Sequence, residues 1–134
     1  MTFAISDTML WDKINNAFGN RGGVYKVIAI KNEAPITINR LLGADTNGVL
    51  YIGKAISYLD RVITLKKSLD PVYISSNHDF GVRHKKHSLI TEQFPYEILF
   101  VELLESENPN DLERKELNEY YDKFGELPPM NRLQ

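Results

Sequence analysis

Apolar positions change their spacing along the chain, and the changes outline the elements. Near the start, Met9, Leu10, Ile14, Ala17 and Phe18 recur close to helical spacing, with Asp7 placed to cap them. That pattern predicts a short leading helix within 1–20. Glycines at 19, 22 and 23 interrupt it, and residues 24–30 are dense in β-branched side chains, as in a buried strand. Residues 32–35 turn the chain, Ile36, Thr37 and Ile38 suit a further short strand, and 43–48 is rich in turn residues. Val49, Leu50, Tyr51 and Ile52 predict a second strong strand, ended by Gly53. Ile56, Leu59, Val62, Ile63 and Leu65 share one side of a helix over 55–69, which Pro71 stops. A loop over 75–81 leads to a short basic helix over 83–89, and 98–103 reads as a third strand with Glu97 and Glu102 as polar breaks. Asn108, Pro109 and Asn110 form a helix entrance; the helix runs over 111–124 with Gly125 at its C′ position, and 127–134 is an extended tail. Helices and strands in this order predict a small α/β sandwich of mixed or antiparallel strands.

Length and composition narrow the class. The 134 residues make one domain, 43% apolar and 25% charged, without internal repeats or low-complexity segments. There is no cysteine, which excludes disulfide staples, thiolate zinc sites and cysteine nucleophiles. The aliphatic runs are too short to span a bilayer and no apolar stretch follows a basic start, so no membrane and a cytoplasmic setting are expected.

Charge changes the picture once it is placed along the chain. The net charge of −2 argues against a nucleic-acid partner. Yet residues 1–89 carry 12 Lys and Arg against 7 Asp and Glu, while residues 90–134 carry 4 against 11. A field depends on where charges sit, so a basic region is joined to an acidic one.

Two tripeptides carry candidate chemistry. Gly23-Val24-Tyr25 opens one predicted strand and Tyr51-Ile52-Gly53 closes the next. Arg61 follows Tyr51 by ten positions, Glu113 lies in the last helix and Asn131 in the tail. Hydrolysis of a phosphodiester needs an attacking water, a base, a divalent cation and a group to meet the developing charge. Tyrosine positions or deprotonates water when cations lower its pKa from about 10. A carboxylate holds Mg²⁺ with water completing the octahedron, and arginine offers phosphate a planar fork of donors. Glycines let backbone or substrate approach the strand ends.

In these residues the chain resembles the GIY-YIG nucleases, named for a Gly-Ile-Tyr and a Tyr-Ile-Gly tripeptide. Arg61 matches the arginine one helix later, and His78-Asp79-Phe80-Gly81-Val82-Arg83 is similar to a His-x-x-Gly segment of restriction-type members. Glu113 and Asn131 match the helix glutamate and late asparagine that end the pattern. The resemblance covers about 22–131 and rests on the ordered set, since either tripeptide alone is a weak signal. It implies an α/β/α sandwich around a three-stranded antiparallel sheet, forming a single catalytic domain over 1–134, with 1–20 as a helical extension and 32–47 as an insert. It also implies a metal-dependent DNA endonuclease, a hydrolase acting on ester bonds with Mg²⁺ or Mn²⁺. Tyr25 would position or activate water with Tyr51 in support, and Arg61 would contact the scissile phosphate. Glu113 would bind the metal, His78 would transfer a proton or touch substrate, and Asn131 would brace the site against substrate. Gly23, Gly53, Lys54, Arg83, Lys85 and Lys86 complete the expected substrate surface. From Gly23 to Tyr51 the chain runs 28 positions, much longer than the compact family form. The expected insert is an extra hairpin or excursion. Glu116, three residues from Glu113, is the alternative metal ligand; Glu113 is preferred because Leu117, Tyr120 and Phe124 continue its face.

Each residue also has an ordinary reading. Tyr25 and Tyr51 suit half-buried strand positions, Arg61 a surface pair with Asp60, and Glu113 a first helical turn favoured by the dipole. His84 and His87 lack a third metal ligand and read as part of a solvated basic segment, Arg83 to His87, that meets phosphates together with Lys54, Arg61, Lys66 and Lys67. Tyr120, Tyr121 and Phe124 read as core rather than as base-stacking platforms. A non-catalytic nucleic-acid-binding or regulatory module of the same fold is the competing function, and a protein-interaction domain using the acidic half is a third. No DNA-reading motif is legible, so target choice falls to the insert, a homodimer or a targeting partner protein.

Overall fold

The computed structural model describes residues 1–72 and 78–131. The expected loop over 75–81 and tail over 127–134 fall partly outside these residues. In order the elements are β1 (Thr2–Ala4), α1 (Leu10–Phe18), β2 (Gly23–Lys31), β3 (Ala34–Pro35), β4 (Ile38–Arg40), β5 (Gly43–Asp45) and β6 (Val49–Ala55). Then come α2 (Tyr58–Leu69), α3 (Asp79–Lys86), α4 (Ser88–Gln93), a 3₁₀ turn at Tyr96–Ile98, β7 (Leu99–Glu105) and α5 (Pro109–Phe124). Among the described residues no helix is long and apolar enough to cross a membrane.

The main sheet is antiparallel and has five strands rather than the expected three. β2 lies between β6 and β7, and those three carry the long pairings. β1 adds to the outer edge of β7, with Phe3 opposite Val101, and β3 folds back on the end of β2. A stretch of three residues is too short to show its period of two, so β1 was absent from the expected leading segment. The turn from β2 to β3 uses Asn32 and Glu33 at φ of 54° and 66°, the paired positive values of a tight hairpin whose twist matches its strands.

β2 is buried along most of its length because helices cover both of its faces. Tyr25, Val27 and Ala29 join a core with Leu10, Ile14 and Phe18 of α1, Tyr58, Val62 and Leu65 of α2, and Phe80 of α3. Val24 and Ile28, on the opposite face, pack with Val49, Ile52, Tyr120 and Phe124, so α5 closes that side. Tyr120 and Phe124 are therefore core, as expected, whereas Tyr121 is half exposed. α5 begins with Pro109 and ends at Gly125, whose left-handed φ of 76° stops the helix.

The segment over 32–47 forms β3 and a separate β4–β5 hairpin, with Arg40 opposite Gly43. That hairpin grips the end of α5. Arg40 donates to the Leu127 carbonyl at 2.8 Å and pairs with Glu126, and the Leu42 amide donates to the Phe124 carbonyl. Buried Asp45 accepts from the Asn47 and Val49 amides and from the Tyr120 hydroxyl. The insert thus anchors the helix that carries Glu113 and the tail that carries Asn131.

Candidate active site

Strand register brings the two tripeptides together. Tyr25 lies directly opposite Gly53, and Tyr51 lies opposite Val27, diagonal to Tyr25 on the same face. Gly53 leaves the room that the Tyr25 ring occupies: a Cβ there would lie 2.6 Å from Tyr25 Cζ and Oη. Gly23 serves packing too, because its Cβ would meet the Leu104 carbonyl oxygen at 2.2 Å and Tyr58 Oη at 2.6 Å. The space at both glycines is filled by protein, so neither is open to substrate as expected.

Across the tyrosine pair stands His78, fully buried at the start of α3. Its Nε2 lies 2.6 Å from the Tyr25 hydroxyl, and its Nδ1 accepts the Phe80 amide at 3.1 Å. The Tyr25, Tyr51 and His78 rings form a triangle with centroid separations of 6.1, 5.8 and 5.7 Å. Gly81 makes this placement possible. A Cβ there would lie 1.7 Å from Ser68 Oγ, so only glycine lets α3 lie this close to α2.

Arg61, on the first turns of α2, acts on all three rings. Burial pushes the Tyr25 and Tyr51 hydroxyls above the ordinary phenol value, and the Arg61 charge opposes it. Burial and then Arg61 pull His78 down to about 3, so the imidazole is neutral. Arg61 also lines a cavity of about 620 Å³ with Lys54, Ile56, Ser57 and Asn110. Lys54 Nζ donates to Asn110 Oδ1 at 2.5 Å.

A second cavity, of about 350 Å³, joins Tyr51 to Glu113, with Asp79, Arg83, Arg114 and Asn131 also in its wall. The two candidate carboxylates separate here. Glu116 Oε2 takes a salt bridge from Lys26 at 3.0 Å on the α5 face of the sheet. Glu113 makes no hydrogen bond or ion pair among the described residues; burial raises its pKa and Lys54 opposes the rise. Asn131 bonds β6 through both ends of its amide: Oδ1 accepts the Ile52 amide at 3.0 Å, and Nδ2 donates to the Ile52 carbonyl at 2.9 Å. It braces the strand between Tyr51 and Gly53 while still lining the cavity, where its second N–H stays available to a substrate.

The basic segment divides. Lys85 and Lys86 are exposed, and Arg83 reaches the Glu113 cavity. His84 is buried rather than solvated: its Nε2 lies 2.6 Å from the Phe94 carbonyl, and its ring stacks on Phe80 at 6.0 Å and 15°. Lys66 is turned inward too, donating to the Ile5 and Asp7 carbonyls and to Tyr96 Oη. Asp79 and Arg114 join the cavity unforeseen, although each adjoins a residue singled out in the sequence.

A half-buried carboxylate with no hydrogen bond or ion pair among the described residues is the donor type that Mg²⁺ or Mn²⁺ takes, so Glu113 fits the implied metal. Among the described residues no group of three or more His, Asp or Glu side chains converges into a cage. Glu113 would then be the protein ligand, with water filling the remaining positions.

Against known proteins, no family model, no curated protein and no solved structure matches this chain.

Proposed function

We propose that the protein is a metal-dependent DNA endonuclease of the GIY-YIG type. One observation carries the reading: two tyrosines, a histidine and an arginine from four elements converge, and Tyr51 of that set lines a cavity shared with Glu113, which has no hydrogen bond or ion pair among the described residues. None of these groups is near another in sequence except Tyr51 and Arg61. A three-stranded core of β6, β2 and β7 with helices on both faces accords with the implied sandwich, with β1 and β3 as additions at its margins.

The roles follow from the chemistry of each group. Glu113 would hold the metal, which would supply positive charge to the phosphate and leaving oxygen when bound. Arg61, in the wall of the neighbouring cavity with Lys54, offers donors to the phosphate oxygens. Tyr51 lines the cavity and orients the attacking water there, with the buried Tyr25 hydroxyl behind it, beside His78. Arg83 and exposed Lys85 and Lys86 give the flanking backbone a basic approach. The weak net charge predicts salt-sensitive, modest affinity for DNA without metal.

The test is a cleavage panel of duplex, flap and single-stranded DNA, with Mg²⁺ and with chelator. Metal-dependent nicking by the wild type is expected, and absence of cleavage on every substrate overturns the reading. DNA binding that is indifferent to metal and never followed by cleavage would favour a non-catalytic module.

A further inference from the structure

His78 has both ring nitrogens committed, and the partners of one decide the state of the other. The Phe80 amide can only donate, so Nδ1, at 3.1 Å, must offer it a lone pair. That amide is one of the first N–H groups of α3, which have no acceptor within the helix, and His78 is the residue that caps it. A neutral imidazole with a bare Nδ1 carries its proton on Nε2, and Nε2 faces the Tyr25 oxygen at 2.6 Å. We propose that His78 is held as the Nε2–H tautomer and donates to Tyr25, acting as a positioning residue and not as the base that takes the Tyr25 proton.

Burial and the Arg61 charge favour this neutral state. Tyr25 and Tyr51 face the ring from β2 and β6, Arg61 acts on it from α2, and Asp79 follows it in α3. An imidazolium would turn an N–H toward the Phe80 N–H and stand in the field of Arg61. The helix is fixed in place by the contact of Gly81 with Ser68, so the cap cannot drift from its partner without moving α3. Because the Tyr25 oxygen accepts from His78, its own O–H must point elsewhere. Arg61 has no acceptor to offer. The proton is therefore directed to the Tyr51 oxygen or to water in the pocket. If Tyr25 loses it, the phenolate keeps two neighbours of the right kind, the His78 N–H and the Arg61 charge.

The tautomer stands on geometry alone; its consequence for cleavage rests on the nuclease reading. Long-range ¹H–¹⁵N spectra of the full chain at neutral pH read the tautomer directly, with the His78 signals assigned by their loss in His78→Gln. A pyrrole-like Nε2 and a pyridine-like Nδ1 are expected. An Nδ1–H tautomer or an imidazolium overturns the proposal. A pair of variants adds a functional readout. His78→Asn retains a cap oxygen but cannot reach Tyr25, whereas His78→Gln places an amide N–H near the position of Nε2. Nicking reduced about tenfold in His78→Gln, against the roughly 10²–10⁴-fold loss expected on removing a general base, supports donation. Equal loss in both variants overturns it. A wild type that shows the Nε2–H signature but never cleaves would sink the nuclease reading and leave the tautomer in place; a cleaving wild type with Nδ1–H would do the reverse.

Discussion

Tyr25 and Tyr120 lie on opposite faces of one sheet, both buried, and desolvation pushes both hydroxyls above the ordinary phenol range. Their neighbours differ in sign. Tyr120 donates to the Asp45 carboxylate at 2.9 Å, which raises it further. Tyr25 sits by the Arg61 guanidinium, which lowers it, and by a neutral imidazole. Two glutamates of α5 repeat the contrast: Glu116 is paired with Lys26, and Glu113 lines a cavity with no hydrogen bond or ion pair among the described residues. Burial therefore marks core and candidate site alike. What separates them is whether each polar group is satisfied from within and which charge it would meet if it changed state.

The sharpest way to break this contrast is to remove one hydroxyl at a time. Tyr25→Phe should reduce plasmid nicking by about 10²–10⁴-fold while the fold persists. Tyr120→Phe should leave nicking per folded molecule unchanged and cost about 1.5–3 kcal/mol, the range for a hydrogen bond to a charged group, read by denaturant unfolding. Equal losses of cleavage in the two variants, with folding intact, would erase the distinction.

The glutamates give a pair of opposite signs. Glu113→Gln should abolish metal-dependent nicking yet melt no lower than wild type at neutral pH. Because burial raises the folded-state pKa of Glu113 above 4.5, the folded state holds its proton more tightly than the unfolded chain does. Stability contributed by the protonated form is then present at lower pH and is lost as pH rises through the raised value. Melting curves across pH should show the Glu113→Gln advantage growing toward neutrality and vanishing below the ordinary carboxyl range. Glu116→Gln should cost on the order of 1–3 kcal/mol, because Lys26 is left half-buried without its partner, and should keep nicking. If Glu116→Gln alone stops cleavage, the metal ligand moves to Glu116.

Asn131→Ala carries the smallest effect, about 1–2 kcal/mol for two lost bonds to backbone. Amide exchange at Ile52 should quicken before that of the β2–β7 pairing, because Asn131 covers the outer edge of β6. Unchanged exchange at Ile52 would mean that the tail does not brace the strand.

The strongly patterned elements could be read without a fold. α2 declares itself through Val62 and Leu65, and α5 through Pro109 at its start and Gly125 at its end. β2 reads as buried because both of its faces are apolar. The ordered tyrosines, arginine, glutamate and asparagine named the candidate site for the same reason: side-chain chemistry and spacing are properties of the chain itself. α4 and the three-residue strands had no such signal, since pairing partners far along the chain create them. β1 exists because β7 offers it an edge, and the β4–β5 hairpin is held against α5 by Arg40 and the Leu42 amide. Partner choice also lay beyond the sequence. The packing stripe of α5 favours Glu113 over Glu116, but only the sheet, by placing Lys26 against Glu116, gives them different partners, and His84 reads as solvated until Phe80 and Phe94 enclose it. Composition and periodicity determined which elements form and which chemistry is present; only tertiary packing decided which polar groups are satisfied and which are left to act, because that depends on contacts between residues distant in the chain.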